Sequence, residues 1–215
     1  MRYDLVIFDN DGVLVDSEPL ANRVLAGYLT ELGHPTSYTD ALRDYMGGSV
    51  RRVHDIIRER TGRHLPADFD SILHSRTFDA FRAELQPVNG VSELLRGLAA
   101  DALPYCLASS SSHERIRVAL QHTGLLEYFD EQRIFSSEDV RRGKPAPDLF
   151  QHAAGSMGVP PERCVVIEDS PLGVQAAIAA GMEVYGYVAM TPPDRLAQAS
   201  GVFSDMSALP ELLAG

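Results

Sequence analysis

The sequence predicts an α/β protein, a doubly wound parallel sheet interrupted early by an all-helical insertion. Two observations carry this. Short runs rich in β-branched and aromatic residues recur and close on or beside polar residues, at Leu5 to Asp9, Pro104 to Ser109, Arg133 to Ser136, Cys164 to Asp169 and Val184 to Val188. Buried parallel strands have this form. Helical patterns separate the later runs, roughly Ser112 to Thr123, Asp148 to Met157 and Pro171 to Ala180. Strand alternating with helix places ligands beyond the carboxyl ends of the strands.

The stretch from Ser17 to Gln86 breaks this alternation. Leu20, Val24, Leu25 and Leu29 share the spacing of one apolar helix face, Val53, Ile56 and Ile57 suggest another, and Pro35, Gly47-Gly48, Gly62 and Pro66 punctuate the series. The expected division is therefore an α/β core over residues 1–16 and 87–215 and a helical cap over 17–86. The hinges fall near Asp16 to Pro19 and Leu85 to Gly90. A bundle leaving the first strand end is expected to sit over the ligand crevice.

Composition bounds the function. The chain has 215 residues, 45% hydrophobic and 23% charged, which suits a soluble globular protein. Its net charge of −11 argues against nucleic acid or an anionic membrane as main partner. Nearly all the acid surplus lies outside 17–86. The apolar run at Leu5 to Phe8 is too short for a signal peptide or a membrane span, so a cytoplasmic location is expected, with a monomer as the default. Cys106 and Cys164 sit in apolar strand-like runs, where a free cysteine acts as a small hydrophobe.

Three strand ends and one turn before a helix carry candidate chemistry. Asp9 and Asp11 flank Asn10 where the first strand runs into Gly12, a pattern that alone is also turn chemistry. Glu168 and Asp169 close another strand ahead of Ser170-Pro171, a helix start at which either Asp169 or Ser170 could serve only as a cap. Four acids at neighbouring strand ends repel one another unless a cation sits among them, and oxygen ligands suit magnesium. The seven histidines show no paired ligand spacing, so zinc is not expected.

Lys144 is the only lysine; arginine fills every other basic position. A compact ammonium suits contact with a single phosphoryl oxygen beside a carboxylate. Ser109 to Ser112 follow a strand and precede a helix. Ser111 with Glu114 has capping-box spacing, which leaves Ser109 as a hydroxyl for a phosphate site. Carboxylates, a lysine and a serine-amide cradle together suit phosphoryl transfer, in which positioning and charge neutralisation do most of the work.

The chain resembles the haloacid dehalogenase superfamily, in particular its capped phosphatases related to β-phosphoglucomutase and 6-phosphogluconate phosphatase. Phe8-Asp9-Asn10-Asp11-Gly12-Val13-Leu14, Leu107-Ala108-Ser109, Gly143-Lys144-Pro145-Ala146-Pro147-Asp148 and Glu168-Asp169-Ser170 are similar to its four motifs, in order. The resemblance implies a Rossmann-like core in which Asp9 is the nucleophile and Asp11 the general acid and base. Mg2+ would be held by Asp9, the Asp11 carbonyl and Asp169, with Glu168 assisting. Ser109, Lys144 and the amides of Asn10 and Ser110 would hold phosphoryl oxygens.

Gly47-Gly48-Ser49 is similar to the family's specificity loop, with Arg51 or Arg52 able to reach an anionic substrate; the plainer expectation pairs those arginines with Asp55 and Glu59. Where the mutase has a cap histidine this chain has Ala21, so a phosphatase of a small phosphorylated metabolite, such as 6-phosphogluconate, outranks a mutase. A dehalogenase would not need Asp11 and Asp169. A receiver-type signalling module would carry its aspartate on a middle strand, and a silent metabolite-binding protein is the remaining alternative.

Overall fold

The computed structural model describes residues 2–46 and 48–214. It divides into two compact units, one of residues 1–15 and 86–215, the other of residues 16–85.

The first unit holds a six-stranded parallel sheet. Its strands are β1 (Leu5–Phe8), β2 (Tyr105–Ser109), β3 (Ile134–Ser136), β4 (Cys164–Glu168), β5 (Glu183–Tyr187) and β6 (Gly201–Phe203), in the order β3-β2-β1-β4-β5-β6. Every residue of β1 is buried, as expected of a strand between two parallel neighbours. Leu5 and Ile7 pack in a cluster with Cys106, Ala108, Leu149, Phe150 and Val174. Complete burial of such side chains contributes roughly 1.5–3 kcal/mol each, which holds β1 as the rigid centre of the sheet.

Strand order reverses between β1 and β4, and the crevice of a doubly wound sheet opens at such a point. The sheet register then selects what lines it. Phe8 pairs with Leu107 on β2 and Ile167 on β4. One residue further along, Asp9, Ala108 and Glu168 fall in one row across three strand ends.

The runs read from sequence coincide with β1 to β5 within one or two residues. β6 lacked a signal: at three residues, with Val202 exposed, it is an edge strand without an apolar run. The helices of this unit are α5 (Val91–Ala100), α6 (His113–His122), α7 (Asp148–Ser156), α8 (Pro171–Ala179) and α9 (Leu209–Ala214).

The second unit is helical: α1 (Ser17–Glu31), α2 (Tyr38–Tyr45), α3 (Val50–Thr61) and α4 (Phe69–Glu84). Leu25, Leu29, Val53, Ile57 and Phe69 share its core, where the Tyr28 and Phe69 rings stack with centroids 5.1 Å apart. Ser37 and Asp40 form a capping box that starts α2. Arg58 and Arg60 suit the C-terminal turn of α3, which ends at Gly62 in the left-handed conformation. Among the described residues no helix is long and apolar enough to cross a membrane.

Candidate active site

Asp9 is the first residue beyond β1. It keeps the parity of Leu5 and Ile7, the face covered by α7 and α8, and Lys144 stands in the loop that leads into α7. The Lys144 ammonium donates to Asp9 Oδ1 and to Glu168 Oε1, each at 2.6 Å, and to the Ala108 carbonyl at 3.1 Å. All three acceptors belong to the row set by the register. The lysine side chain is only 4% exposed and lies over the Phe150 ring, 4.8 Å from its centroid.

Glu168 is fully committed. Its second oxygen accepts from the Ser170 backbone amide at 2.8 Å and the Ser170 hydroxyl at 2.9 Å. Ser170 also caps α8, its hydroxyl accepting from the Gly173 amide, with Pro171 at the first helical position. A methyl group at Gly173 would collide with the Glu168 carboxylate, and one at Gly12, whose φ is +80°, would collide with Asp169. Two glycines thus leave the space that the acids occupy.

Asp9, Glu168 and Asp169 each offer an oxygen within 4.8 Å of the others. Asp9 and Glu168 share one ammonium, and the donors of all three acids are hard oxygens. This set fits a magnesium ion. Glu168 has both oxygens engaged, by Lys144 and Ser170, so Asp9 and Asp169 are the residues that could hold such an ion directly.

A family model for haloacid dehalogenase-like hydrolases matches residues 3–181. The chain belongs to this family. It is 31% identical over 214 residues to the 6-phosphogluconate phosphatase of Escherichia coli (strain K12), covering 98% of this chain and 95% of that protein. A haloacid dehalogenase family hydrolase from Deinococcus radiodurans R1, solved with bound phosphate and sodium, is 33% identical, with a TM-score of 0.85 over 99% of this chain and 96% of that one. A putative β-phosphoglucomutase from Thermotoga maritima is 30% identical, with a TM-score of 0.81 over 98% of each chain.

In this haloacid dehalogenase-like hydrolase, burial pushes the Asp9 carboxyl above its usual range. The Lys144 ammonium draws it back, and the negative charges of Glu168 and Asp11 push it up again. For Lys144 burial opposes the charge, yet the attraction of Asp9 and Glu168 outweighs it, so the ammonium is held above its ordinary pKa. The arrangement keeps a charged lysine inside the protein.

Ser109 is buried and its hydroxyl accepts from the Ser111 amide at 3.1 Å. The Asn10 side chain is wholly buried, with Oδ1 lacking a hydrogen-bond partner. Ser110 is exposed at the loop surface, where its carbonyl accepts from the Ser137 hydroxyl at 2.7 Å. Ser111 differs from its sequence reading. The hydroxyl that caps α6 belongs to Ser112 and accepts from the Arg115 amide, whereas Ser111 donates to Asp11 Oδ2 at 2.8 Å.

The other expected contacts lie in the helical unit, and Gly47 falls outside the described residues. Gly48 donates its amide to the Tyr45 carbonyl, Ser49 precedes α3, and Arg51 is exposed on it. Arg52 donates to the Asp44 carbonyl at 3.0 Å, and Asp55 pairs with Arg58, so Arg52 does not follow the plain expectation of an Asp55 or Glu59 partner.

Sequence reasoning passed over Arg115, whose guanidinium donates to Asp11 Oδ1 at 3.0 Å. It also passed over Gly173 and the Ser136 and Ser137 hydroxyls, which hold the Ser111 and Ser110 carbonyls. Each acts across a sequence gap that no local motif reports.

Proposed function

We propose that this chain is a magnesium-dependent phosphomonoester hydrolase acting through an aspartyl-phosphate on a small phosphorylated sugar or sugar acid. The observation that carries the reading is the buried row in which one lysine joins Asp9 and Glu168, beside Asp169. A nucleophilic carboxylate must approach an anionic phosphoryl group, and the Lys144 ammonium beside Asp9 supplies fixed positive charge at the point of approach.

In the first half of the reaction an Asp9 oxygen attacks phosphorus and the ester P–O bond breaks. The leaving oxygen takes a proton from Asp11. In the second half water attacks phosphorus, the P–O bond to Asp9 breaks, and Asp11 accepts the water proton. Lys144 holds the Asp9 oxygen and a neighbouring phosphoryl oxygen, while Ser109 and the amides of Asn10 and Ser110 bind the rest. A magnesium ion on Asp9, Asp169 and the Asp11 carbonyl would supply further charge neutralisation. Gly48, Ser49, Arg51 and Arg52 of the helical unit would be the residues that set substrate preference.

The likeness to a 6-phosphogluconate phosphatase supports a sugar-acid phosphate as first substrate to try. The decisive experiment measures phosphate release from an aryl phosphate and from a panel of sugar phosphates and sugar-acid phosphates. Release stops on chelation and returns with Mg2+. Including β-glucose 1-phosphate separates hydrolase from mutase by its product. Turnover that persists undiminished in Asp9→Asn overturns the mechanism.

A further inference from the structure

We propose that Arg115 is a positioning residue, which with Ser111 holds the Asp11 carboxylate in the pose that accepts a proton from water in the second half-reaction. This rests on the mechanism proposed above and adds a residue to it. Both Asp11 oxygens are engaged as acceptors. Oδ1 takes a hydrogen bond from the Arg115 guanidinium at 3.0 Å, and Oδ2 takes one from the Ser111 hydroxyl at 2.8 Å and a longer one from the Asn10 amide at 3.4 Å. A carboxylate surrounded by donors is acceptor-only, the form required to draw a proton from water and not the form that gives one away.

The holders are themselves held. Arg115 lies in the first turn of α6, and its amide donates to the Ser112 cap. The Ser111 carbonyl accepts from the Ser136 hydroxyl at 2.7 Å. The Asp11 and Arg115 side chains are only 17% and 26% exposed, so the pair is sheltered enough for its geometry to matter. During ester cleavage Asp11 gives its proton to the leaving oxygen and becomes the carboxylate that this pose fits. Arg115 thus supports the step that frees Asp9, in which water attacks phosphorus, the P–O bond to Asp9 breaks and inorganic phosphate leaves.

A p-nitrophenyl ester isolates that step, because nitrophenolate departs without needing a proton. In Arg115→Met, rapid mixing with p-nitrophenyl phosphate and Mg2+ is expected to show a burst of nitrophenolate approaching one equivalent per enzyme. A steady rate about tenfold below the parent should follow, part of the roughly 10²–10⁴-fold that general base catalysis contributes, because Asp11 and Ser111 stay in place. Acid quenching should trap correspondingly more phosphoenzyme. Arg115→Lys should recover part of the rate, and Ser111→Ala, which leaves the guanidinium in place, should show a smaller burst.

The proposal is overturned if Arg115→Met, folded by circular dichroism, turns over like the parent, or slows without added phosphoenzyme. It is also overturned if, Arg115→Met being unfolded, Ser111→Ala accumulates none. Asp11→Asn is the reference: trapped phosphoenzyme there, without any in the Arg115 and Ser111 variants, removes only the positioning role. Unimpaired turnover in Asp9→Asn removes the mechanism itself.

Discussion

Charge is used in opposite ways in the two units. In the helical unit ion pairs lie on the surface, as between Arg76 and Glu31, whose side chains are 41% and 59% exposed. Such a pair contributes roughly 0–1 kcal/mol. In the α/β unit Lys144 and Glu168 are 4% and 1% exposed and meet at 2.6 Å. A pair of that kind is weak evidence for stability, because desolvation offsets its attraction, but removing one partner leaves a buried charge uncompensated. The difference teaches where function resides: surface pairs can be exchanged freely, whereas the buried row has no stabilising rationale that a set of apolar side chains would not meet as well.

That contrast can be broken in four ways. Asp9→Asn should lower phosphate release from an aryl phosphate by about 10⁴-fold or more while the thermal midpoint changes little, since the proposed nucleophile is removed and Lys144 keeps Glu168 as its partner. Lys144→Met should destabilise by about 3–5 kcal/mol in urea unfolding, with Mg2+ restoring part of the loss by offsetting the exposed repulsion among Asp9, Glu168 and Asp169. If Mg2+ leaves that variant's midpoint unmoved, the acids do not form the metal site. Gly173→Ala should cost about 1–3 kcal/mol by overpacking against Glu168 and should also reduce turnover, whereas a Gly→Ala change at Gly27, where a methyl group meets nothing within 4 Å, should do neither.

The smallest effect is expected at Asp44 in the helical unit, where Arg43 and Arg60 hold the carboxyl down to about 2. Its folded pKa lies below the unfolded value of about 3.9, so its contribution is fully present above that value and is lost as pH falls toward 2. Asp44→Asn should therefore narrow the stability difference between pH 6 and pH 3, measured as thermal midpoints, and leave turnover at neutral pH unchanged.

Much of the α/β unit was legible because its signals are local. Leu5 to Phe8 is a continuous apolar run, Pro171 marks a helix start, and Lys144 stands out in a chain that otherwise uses arginine. The acids at the ends of β1 and β4 were legible because each pair closes an apolar strand-like run. What escaped was tertiary. Arg115 meets Asp11 across 104 positions and looks, in sequence, like one more surface arginine of a helix. Ser111 fitted a capping pattern with Glu114, and only the fold gives the cap to Ser112 and turns the Ser111 hydroxyl toward Asp11. Gly173 reads as a weak helix residue until the Glu168 carboxylate is seen beside it.

The helical segment leaves and re-enters the α/β unit through neighbouring stretches of chain. Val15 forms an antiparallel bridge with Pro87, and the Val88 amide donates to the Leu14 carbonyl at 2.9 Å. For the sheet, everything from Asp16 to Leu85 is therefore topologically a hairpin loop whose two ends are already tied. Loop entropy grows only slowly with length, so resizing or replacing this segment adds little to the cost of folding the catalytic unit. The helical segment can then change in length and sequence at one place in the chain while the strand ends of the sheet stay unaltered.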